Sequence, residues 1–536
     1  MMNNNEIIFQ VDTLPKKSRI DFYSKLSLLV IVLSFLGSNI YSQNNNFIVS
    51  PISADSTHTD TSDKKSVHII HADKLLFSSD KQGNSVRKLI GKVQLKQDST
   101  LLFCDSAILL KEKNTVEMYG NVRITDGDSI EASSNRLDYD GNKKTAKLIG
   151  NAKLTDSKMV LISEILYYDR NTGIGYYLTN GKLKNRETTL TSTKGYYHSR
   201  TSDAYFNNNV HIQDPDYQLD SDTLMFNTET KISKFYGNTT IYNDKSTIEC
   251  NNGTYDTQNQ IATFGYGTVI YNKPQTLWAD SLYYEKQNGY GKAMRSFTWY
   301  DEEMKVGMTG TDAEYFENQN KIIAINRPIL NSEIEEDTLY LRGNTVIAKN
   351  DNNKSFVSYG KVRLFKNDLQ AVCDSLYYNN NDSILSFFKN PILWNEASEM
   401  KSDSIFVTIG KGKIKQIYFV NKAFVLTQSK GKLFDQIKGK WITAYFNDSK
   451  LEKMLVKKNA ESLYFGKDDD ENYMGGNKST SAKMWIYTKD NKINKIVFLE
   501  KPEAVFTPLS QMSNADIFLK DFKTNFDLKP TDKNDL

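Results

Sequence analysis

Residues 120–154 read GNVRITDGDSIEASSNRLDYDGNKKTAKLIGNAKL, and they contain one complete unit of a repeat. The stretch opens with GNV, closes with GNA, and holds the segment SNRLDYD followed by the polar sequence GNKK between them. Gly, Asn and Asp tolerate the backbone angles of tight reversals, so they mark turns between short apolar segments. Each unit is therefore predicted to form two short strands and two turns.

The same unit recurs along most of the chain. Its glycine landmark returns at intervals of 27 to 33 residues, mostly 29 to 31, at Gly91, Gly120, Gly150, Gly181, Gly237, Gly267 and Gly360, and copies without the glycine lie near 208, 296, 327 and 390. Self-similarity at a fixed period is the sequence signature of a stacked array. We count about 13 repeats between residues 67 and 506, which predicts roughly 26 strands.

The repeat excludes several architectures. Each unit lacks a stretch of ten or more residues with helical spacing, which excludes helical solenoids. Four-stranded propeller blades need about 40 to 50 residues, which is longer than this period. The remaining choice is an all-β fold, either an antiparallel meander or a folded, elongated double sheet.

One position of the repeat indicates how the strands pack. The residue before the acidic position of motifs such as ADSLYY and CDSLYY is always small: Cys104, Ser134, Ser163, Thr193, Ser221, Cys250, Ala279, Thr311, Cys373 and Ser402. Two positions earlier stand mainly apolar residues: Leu102, Ala132, Leu161, Leu219, Ile248, Leu277, Ala371 and Met400. These two positions share one face of a strand, so they predict an interior ladder.

Beyond the acidic position the alternation changes. An apolar residue at plus two, such as Leu166 or Leu224, and an aromatic residue at plus four lie on the opposite face if the strand continues regularly. A bulge, a twist or a second apolar surface would each explain this change, and the sequence leaves all three open.

All three cysteines occupy the small position, about five and four repeats apart. Adjacent strands are ~4.8 Å apart, so these cysteines are separated by roughly 20 Å or more, whereas a disulfide needs Cα atoms within ~7 Å. We predict three buried free thiols; the alternative for an odd cysteine count in a secreted protein is an intermolecular bridge.

Composition excludes a nucleic-acid partner. The net charge is +3, with 68 basic and 65 acidic residues that are interspersed and form no basic stripe. Hydrophobic residues make up 39% of the chain and the mean hydropathy is −0.55, values typical of a soluble chain with a modest core.

The N-terminus has the pattern of a secretory signal. Four basic residues between Lys16 and Lys25 precede the apolar run of residues 26–37, and small and polar residues follow, with a cleavage position after Ser42. We assign residues 1–42 to an N-terminal extension and signal peptide, with an uncleaved anchor as the alternative. Residues 43–66 are predicted to be a disordered linker because they are polar.

The sequence carries none of the common catalytic or metal-binding patterns. There are 5 His, and His68 and His71 fall on opposite sides of a predicted strand, so they cannot share a metal. A calcium ladder on the recurrent acidic residue is disfavoured, because the 30-residue period lacks the glycine-rich nonapeptide pattern. One side chain repeated many times indicates architecture, whereas an active site needs different groups at one point. We predict a protein that is not an enzyme and has no catalytic residues, cofactor or metal.

The unit of an apolar strand, a small-acidic motif, a polar turn and G-N-V resembles the OstA/LptA family of lipopolysaccharide transport proteins, most closely in residues 120–154. The resemblance implies an elongated antiparallel β-jellyroll, or V-shaped double sheet, whose apolar interior holds the acyl chains of lipid A. It implies a periplasmic location, and partners that are homologous jellyroll modules joined by edge-strand addition, including a separate outer-membrane barrel partner. It covers residues 67–330 well and residues 331–506 loosely.

On this basis residues 67–330 are expected to be an OstA/LptA-like jellyroll, 331–506 a more divergent second module, and 507–536 a polar C-terminal tail. One continuous groove and two fused modules both remain possible. The candidate lipid-groove residues are Val93, Leu102, Val122, Ala132, Leu161, Leu219 and Leu277. The predicted function is non-catalytic shuttling or bridging of lipopolysaccharide to the outer membrane; the alternative is a structural or adhesive surface β-solenoid with a closed core.

Overall fold

The protein is an array of antiparallel strands, seen in a computed structural model. The structure describes residues 66–536 apart from short gaps at 127–129, 157–158, 186, 216, 243–245, 304, 335–336, 350–354, 380, 411–412, 448–449, 469, 471 and 490–491. The predicted signal peptide, and the predicted linker up to residue 65, lie outside the described residues. Among the described residues, no helix is long and apolar enough to span a membrane.

The first twenty-two strands lead up to the first 3-10 helix, at Glu317–Gln319. They are β1 (His68–His71), β2 (Lys74–Ser79), β3 (Ser85–Gln97), β4 (Thr100–Leu110), β5 (Thr115–Asp126), β6 (Ile130–Asp140), β7 (Thr145–Thr155), β8 (Val160–Asp169), β9 (Ile174–Tyr177), β10 (Gly181–Asn185), β11 (Thr188–Ser192), β12 (Lys194–His198), β13 (Asp203–Gln213), β14 (Gln218–Asn227), β15 (Ile232–Tyr242), β16 (Thr247–Asp256), β17 (Ile261–Phe264), β18 (Thr268–Asn272), β19 (Gln275–Glu285), β20 (Tyr290–Asp301), β21 (Val306–Gly310) and β22 (Asp312–Phe316).

The remaining strands precede two further 3-10 helices, at Leu509–Gln511 and Phe526–Leu528. They are β23 (Lys321–Ile325), β24 (Ile329–Ile334), β25 (Asp337–Arg342), β26 (Thr345–Lys349), β27 (Ser355–Lys366), β28 (Leu369–Asn379), β29 (Ile384–Phe388), β30 (Ile392–Asn395), β31 (Ser398–Lys401), β32 (Ser404–Gly410), β33 (Lys413–Lys430), β34 (Leu433–Asn447), β35 (Lys450–Lys467), β36 (Tyr473–Lys489), β37 (Lys492–Leu499) and β38 (Glu503–Pro508).

These 38 segments confirm the predicted all-β antiparallel repeat. Ten strands are each divided in two where they bend, as in β9 with β10, so the 38 segments of the described chain are 28 bent strands. The sequence predicted roughly 26. Between the two ends of the array, bent strands pair antiparallel with the preceding and following strands of the chain, as β4 does with β3 and β5.

A bulge in every repeat produces the bend. Gly120 and Asn121 have φ of 74° and 43°, and the register of β5 with β6 shifts between Tyr119 and Val122. Two residues on one strand therefore oppose one on its neighbour, and the side chains beyond this point change face. Of the three explanations that the sequence left open, the bulge is the correct one.

The acidic residue of the repeat supports this bulge from the neighbouring strand. The Asn121 side-chain amide donates to Asp105 at 2.9 Å, and the backbone N–H of Asn238 donates to Asp222 at 3.0 Å. A Cβ on Gly120 would lie 2.4 Å from the Asp105 carboxylate, which explains why the position is glycine. The prediction that the glycine landmark is a turn was wrong, because Gly120 and Asn121 form a bulge inside β5, and the acidic residue lies beside it on the neighbouring strand.

The bend divides every repeat into two walls. Residues 93–97 and 100–104 form part of wall A, which ends at the turn between β3 and β4. Residues 85–90 and 106–110 form part of wall B, whose other end is the turn between β4 and β5. We call the turn-bearing edges of the two walls rim A and rim B.

The small position lies inside the bend in most repeats. Ser134, Ser163, Ser221, Ala279 and Ser402 are buried there. The predictions were wrong for Thr193, whose place is taken by the buried Ser192, and for Thr311, which is exposed. Both threonines lie where the strand is divided at the bend, between β11 and β12 and between β21 and β22. The buried Ser402 lies at such a division too, so the division alone does not decide which residue faces inward.

The cysteines are free, as predicted. Cys104 and Cys250 are buried, whereas Cys373 is only partly buried, so the prediction of three buried thiols was wrong for one of them. Burial raises the pKa of the Cys104 thiol to about 11 and those of Cys250 and Cys373 to about 12. These thiols are protonated and unreactive near neutral pH.

The described chain divides into two compact units. The first comprises residues 66–301 and 309–318, and the second comprises residues 302–308 and 319–536. The division falls slightly before the module boundary expected at residue 330. The second unit includes residues 507–536, which were expected to be a polar tail; instead, Ile517 and Leu519 are buried in it.

Candidate functional site

The interior of the first unit contains a continuous apolar ladder on wall A, which we call the inner ladder. Its members are cross-strand partners from one strand to the next: Leu95, Leu102, Ile124, Ala132, Leu154, Leu161, Leu183, Leu190, Ile212, Leu219, Ile241, Ile248, Ile270, Leu277 and Trp299. All except Ile241 are buried. Five of the seven candidate residues, Leu102, Ala132, Leu161, Leu219 and Leu277, belong to this ladder.

The other two candidates lie one step closer to the bend. Val93 is paired with Cys104, and Val122 with Ser134, and both valines are buried. The structure therefore places all seven candidates on the same interior face of wall A.

Wall B supplies the facing surface of the interior. Ala107, Met118, Leu137, Leu148 and Leu166 are successive cross-strand partners, and all are buried. The expectation that Leu166 and Leu224 face away from the inner ladder was wrong, since each is only 1% exposed. The bulge turns these residues inward, and a regular two-residue period cannot predict that.

The two walls pack directly against each other in the first unit. A Cβ on Gly175 of wall B would lie 2.2 Å from a methyl group of Leu154 of wall A, and the fully buried ring of Tyr177 covers Gly181 and Gly195. The cavity beside Ile130, Leu154, Tyr168 and Tyr197 has a volume of about 10 Å³. This is about the space of one water molecule, so this part of the interior is filled by side chains.

A polar contact joins the two rims above this interior. The Tyr139 hydroxyl of rim B donates to the Gln97 side chain of rim A at 2.5 Å, and the Gln97 amide donates to the Gly141 carbonyl at 2.9 Å. Gln97 is fully buried, and burial raises the pKa of Tyr139 to about 12. The pair is therefore neutral and removed from water.

Charged groups continue this contact along the rims. Arg170 of rim B donates to Asp98 and to Asp126 of rim A, each at 3.1 Å, and Lys144 donates to Asp98 at 3.1 Å. The side chains of Arg170, Asp98 and Asp126 are 13–16% exposed. We call Gln97, Asp98, Asp126, Tyr139 and Arg170 the rim bridge. Tyr197 of rim B also donates to Asp156 of rim A.

The rim bridge was not predicted from the sequence pattern. Its members come from turns that are about 40 to 70 residues apart along the chain. The only sequence signal is that these repeats place Asp or Gln beside one turn and Arg or Tyr beside the other. Within the part of the chain that the structure describes, no group of three His, Cys, Asp or Glu side chains could hold a metal ion.

The ends of the array expose apolar residues. In β1 and β2, Ile70, Leu76 and Phe77 are 52%, 53% and 68% exposed, and among the described strands these two pair only with β3. In β38, Val505 and Phe506 are 64% and 52% exposed, and within the described part of the chain β38 pairs only with β36. Edge strands with unpaired backbone groups can accept a further strand.

Comparison with known proteins supports the resemblance drawn from the repeat. Residues 64–222 match the family model described as OstA-like protein, and most of this range lies in the first unit. No curated protein matches the chain. A solved structure found by similarity is LptH, the LptA-homologous periplasmic component of the lipopolysaccharide transport device of Pseudomonas aeruginosa. It is 16% identical, covers 25% of this chain and 81% of its own, and has a TM-score of 0.14.

Proposed function

Because residues 64–222 are OstA-like, we propose that the protein takes part in lipopolysaccharide transport and that the first unit holds the acyl chains of the lipid along the inner ladder. The observation that carries the proposal is that a continuous apolar ladder runs through the OstA-like range and continues beyond it to Trp299. Each CH₂ group moved from water to such a surface gains about 0.8 kcal/mol. The protein acts by passive binding and needs no chemical step.

Entry of an acyl chain requires the walls to separate. The rim bridge and the contact between Leu154 and Gly175 close the interior of the described chain in this region. A lipid must therefore break the contacts of Arg170 and Tyr139 and replace the contacts between the walls with its own. In this mechanism Val93 and Val122 contact the lipid nearest the bend, and Leu102 and Leu161 contact it nearer the rim.

The transport role implies periplasmic partners. The exposed residues of β2 and β38 support edge-strand addition by homologous modules, with a separate outer-membrane protein at the end of the route. Secretion to the periplasm follows from the predicted signal peptide.

Photo-crosslinking in cells tests the proposed binding face. A photo-reactive residue in place of Leu161 or Leu219 should capture lipopolysaccharide, because both side chains face the interior. Lys153 and Glu249 are exposed positions on the outer face of the same wall, and they should give no product. Capture at the outer positions and not at Leu161 or Leu219 would contradict the proposed face.

The second candidate is a structural or adhesive scaffold with a closed core. The rim bridge and the filled interior favour it, because they describe a finished core and not an open groove. It predicts that a covalent link between the rims has no effect on function. Lipid transport predicts that the same link, made through cysteines at positions 98 and 170, abolishes lipid capture and that reduction restores it.

A further inference from the structure

The outer face of wall A in the second unit differs from an ordinary solvent-facing surface. Wall A carries a row of outward-facing cross-strand partners, each one residue nearer rim A than an inward-facing residue. We call it the outer row: Phe365, Gln370, Trp394, Glu399, Leu426, Gln436 and Leu463. Trp394, Glu399, Leu426, Gln436 and Leu463 are fully buried although they point away from the interior. Something must therefore cover them.

Residues 512–536 provide the cover, and we call them the C-terminal segment. Ile517 and Leu519 pack with Phe424, Phe434 and Leu463 in one apolar cluster, and Met512 and Phe518 lie against it. The Phe522 ring packs against Phe434, with 5.4 Å between the ring centroids. The segment crosses several strands of the sheet without adding a strand to it.

The outer row recognises the backbone of this segment. The side-chain amide of Gln436 donates to the Ile517 carbonyl, and its oxygen accepts from the Leu519 N–H, both at 2.8 Å. A single buried amide thus pairs with the backbone N–H and C=O of two residues of a peptide. Lys438 and Lys401 donate to the carbonyls of Lys520 and Lys523 in the same way.

A buried carboxylate fixes the position of the segment. Both oxygens of Glu399 accept hydrogen bonds at 2.7 Å, one from the Asn525 N–H and the other from the Asn525 side-chain amide. Trp394 also donates to this carboxylate, at 3.3 Å, and Lys401 lies 3.8 Å from it. A buried charge needs such partners, and Asn525 supplies two of them.

Basic side chains bind the last residues of the C-terminal segment. Arg342 donates to the backbone oxygen of Leu536 at 2.7 Å, and Arg363 forms an ion pair with Asp535 at 3.3 Å. Lys529 donates to the Glu396 carbonyl at 2.9 Å. Contacts are therefore distributed along the segment from Met512 to Leu536.

We infer that the outer face of wall A in the second unit is a peptide-binding groove and that the C-terminal segment is its ligand, docked in cis. The ligand class is an extended peptide with large apolar side chains and an asparagine that pairs with Glu399. Side chains recognise it, because the backbone groups of β31 and β34 already pair with their neighbouring strands. Its exposed connection, residues 513–516, makes docking separable from the fold of the sheet.

Cleavage of the full-length protein tests this inference. A sequence-specific protease site inserted between Asn514 and Ala515 is cut after folding, and gel filtration with mass spectrometry measures whether the released peptide stays bound. We expect it to stay bound and to exchange with an excess of a fluorescent synthetic peptide of residues 515–536. A scrambled peptide of the same composition should not exchange. Loss of the peptide at once, with the strand content unchanged by circular dichroism, would overturn the inference.

Matched variants identify the anchor. Asn525→Ala should accelerate release of the peptide at least tenfold, because it removes the side-chain hydrogen bond to a buried carboxylate. Asp527→Ala, at an exposed position two residues away, should leave the release rate unchanged. Equal rates for the two variants, or release only together with unfolding of the sheet, would show that the segment is part of the core and not a bound ligand.

Discussion

The outward-facing row of wall A, one step from the interior towards rim A, differs between the two units. In the first unit, the row one step outside the inner ladder carries mostly polar residues and tyrosines, such as Lys96, Thr125, Gln213, Tyr242 and Tyr271. Tyr242 and Tyr271 are 42% and 37% exposed, whereas Trp394 and Glu399 of the outer row in the second unit are fully buried.

This difference shows that the repeat constrains its inward-facing positions more strongly than its outward-facing positions. The bulge and the inward positions must be kept in every unit, because they form the bend and the interior. Outward positions are constrained only by what covers them. The first unit joins its rims and exposes outward-facing residues such as Tyr242 and Tyr271, whereas the second covers part of its outer face with the C-terminal segment.

The largest expected effect comes from the aromatic residues of this row. Trp394→Ala should destabilise the second unit by about 3–5 kcal/mol, since it empties a fully buried site and removes a donor to Glu399. Tyr271→Ala, in the matching row of the first unit, should cost no more than about 1 kcal/mol. Urea denaturation followed by circular dichroism measures the free energy of unfolding of both variants. An equal loss for the two substitutions would contradict the difference between the units.

The rim bridge should contribute next. Arg170→Ala leaves Asp98 and Asp126 without their shared partner in a site that is about 15% exposed, so we expect a loss of about 2–3 kcal/mol from the first unit. Arg136→Ala is the control, because its ion pairs with Asp138 and Glu117 are exposed and should contribute less than about 1 kcal/mol. A loss no greater than that of the control would show that the rims are not held together by Arg170.

Alkaline pH should destabilise the interior by a smaller amount. Burial raises the pKa of Cys250 to about 12 from an ordinary value near 9, so the thiol ionises in the unfolded chain before the folded one. Its stabilising contribution is complete below pH 9 and is lost as the pH rises towards 12. At pH 10.5 the loss is about 2 kcal/mol. Cys250→Ala should reduce the loss between pH 8 and 10.5 by that amount, and an unchanged loss would contradict the burial of this thiol.

The fold could be predicted from sequence because the same pattern of residues recurs in each repeat. The polar turns, such as residues 141–144, and the small residue before the acidic position marked the strand ends and the interior face, and the seven candidate residues all lie on that face. The Gly-Asn pair marked the repeat but is a bulge within a strand and not a turn. The inward turn of Leu166 and Leu224 could not be predicted, because a bulge changes the period and a one-residue shift reverses the face.

The contacts between segments that are far apart along the chain could not be predicted from the sequence either. Arg170 and Asp98 are 72 residues apart, and Asn525 and Glu399 are 126 apart. Nothing in the local pattern connects them, since each partner alone resembles an ordinary surface residue. The polar composition of residues 507–536 suggested a tail, but Ile517, Leu519 and Phe522 are spaced to place apolar side chains on the outer face of the sheet.

Native mass spectrometry of the protein purified from cells tests the central proposal most directly. If the first unit holds acyl chains along Leu102, Leu161 and the rest of the inner ladder, the protein should retain a lipid with the mass of lipopolysaccharide or its lipid A part. Arg170→Ala, which frees the rims, should retain at least as much. A chain without lipid, under conditions gentle enough to keep non-covalent lipid complexes intact, would contradict the transport proposal and favour the closed scaffold.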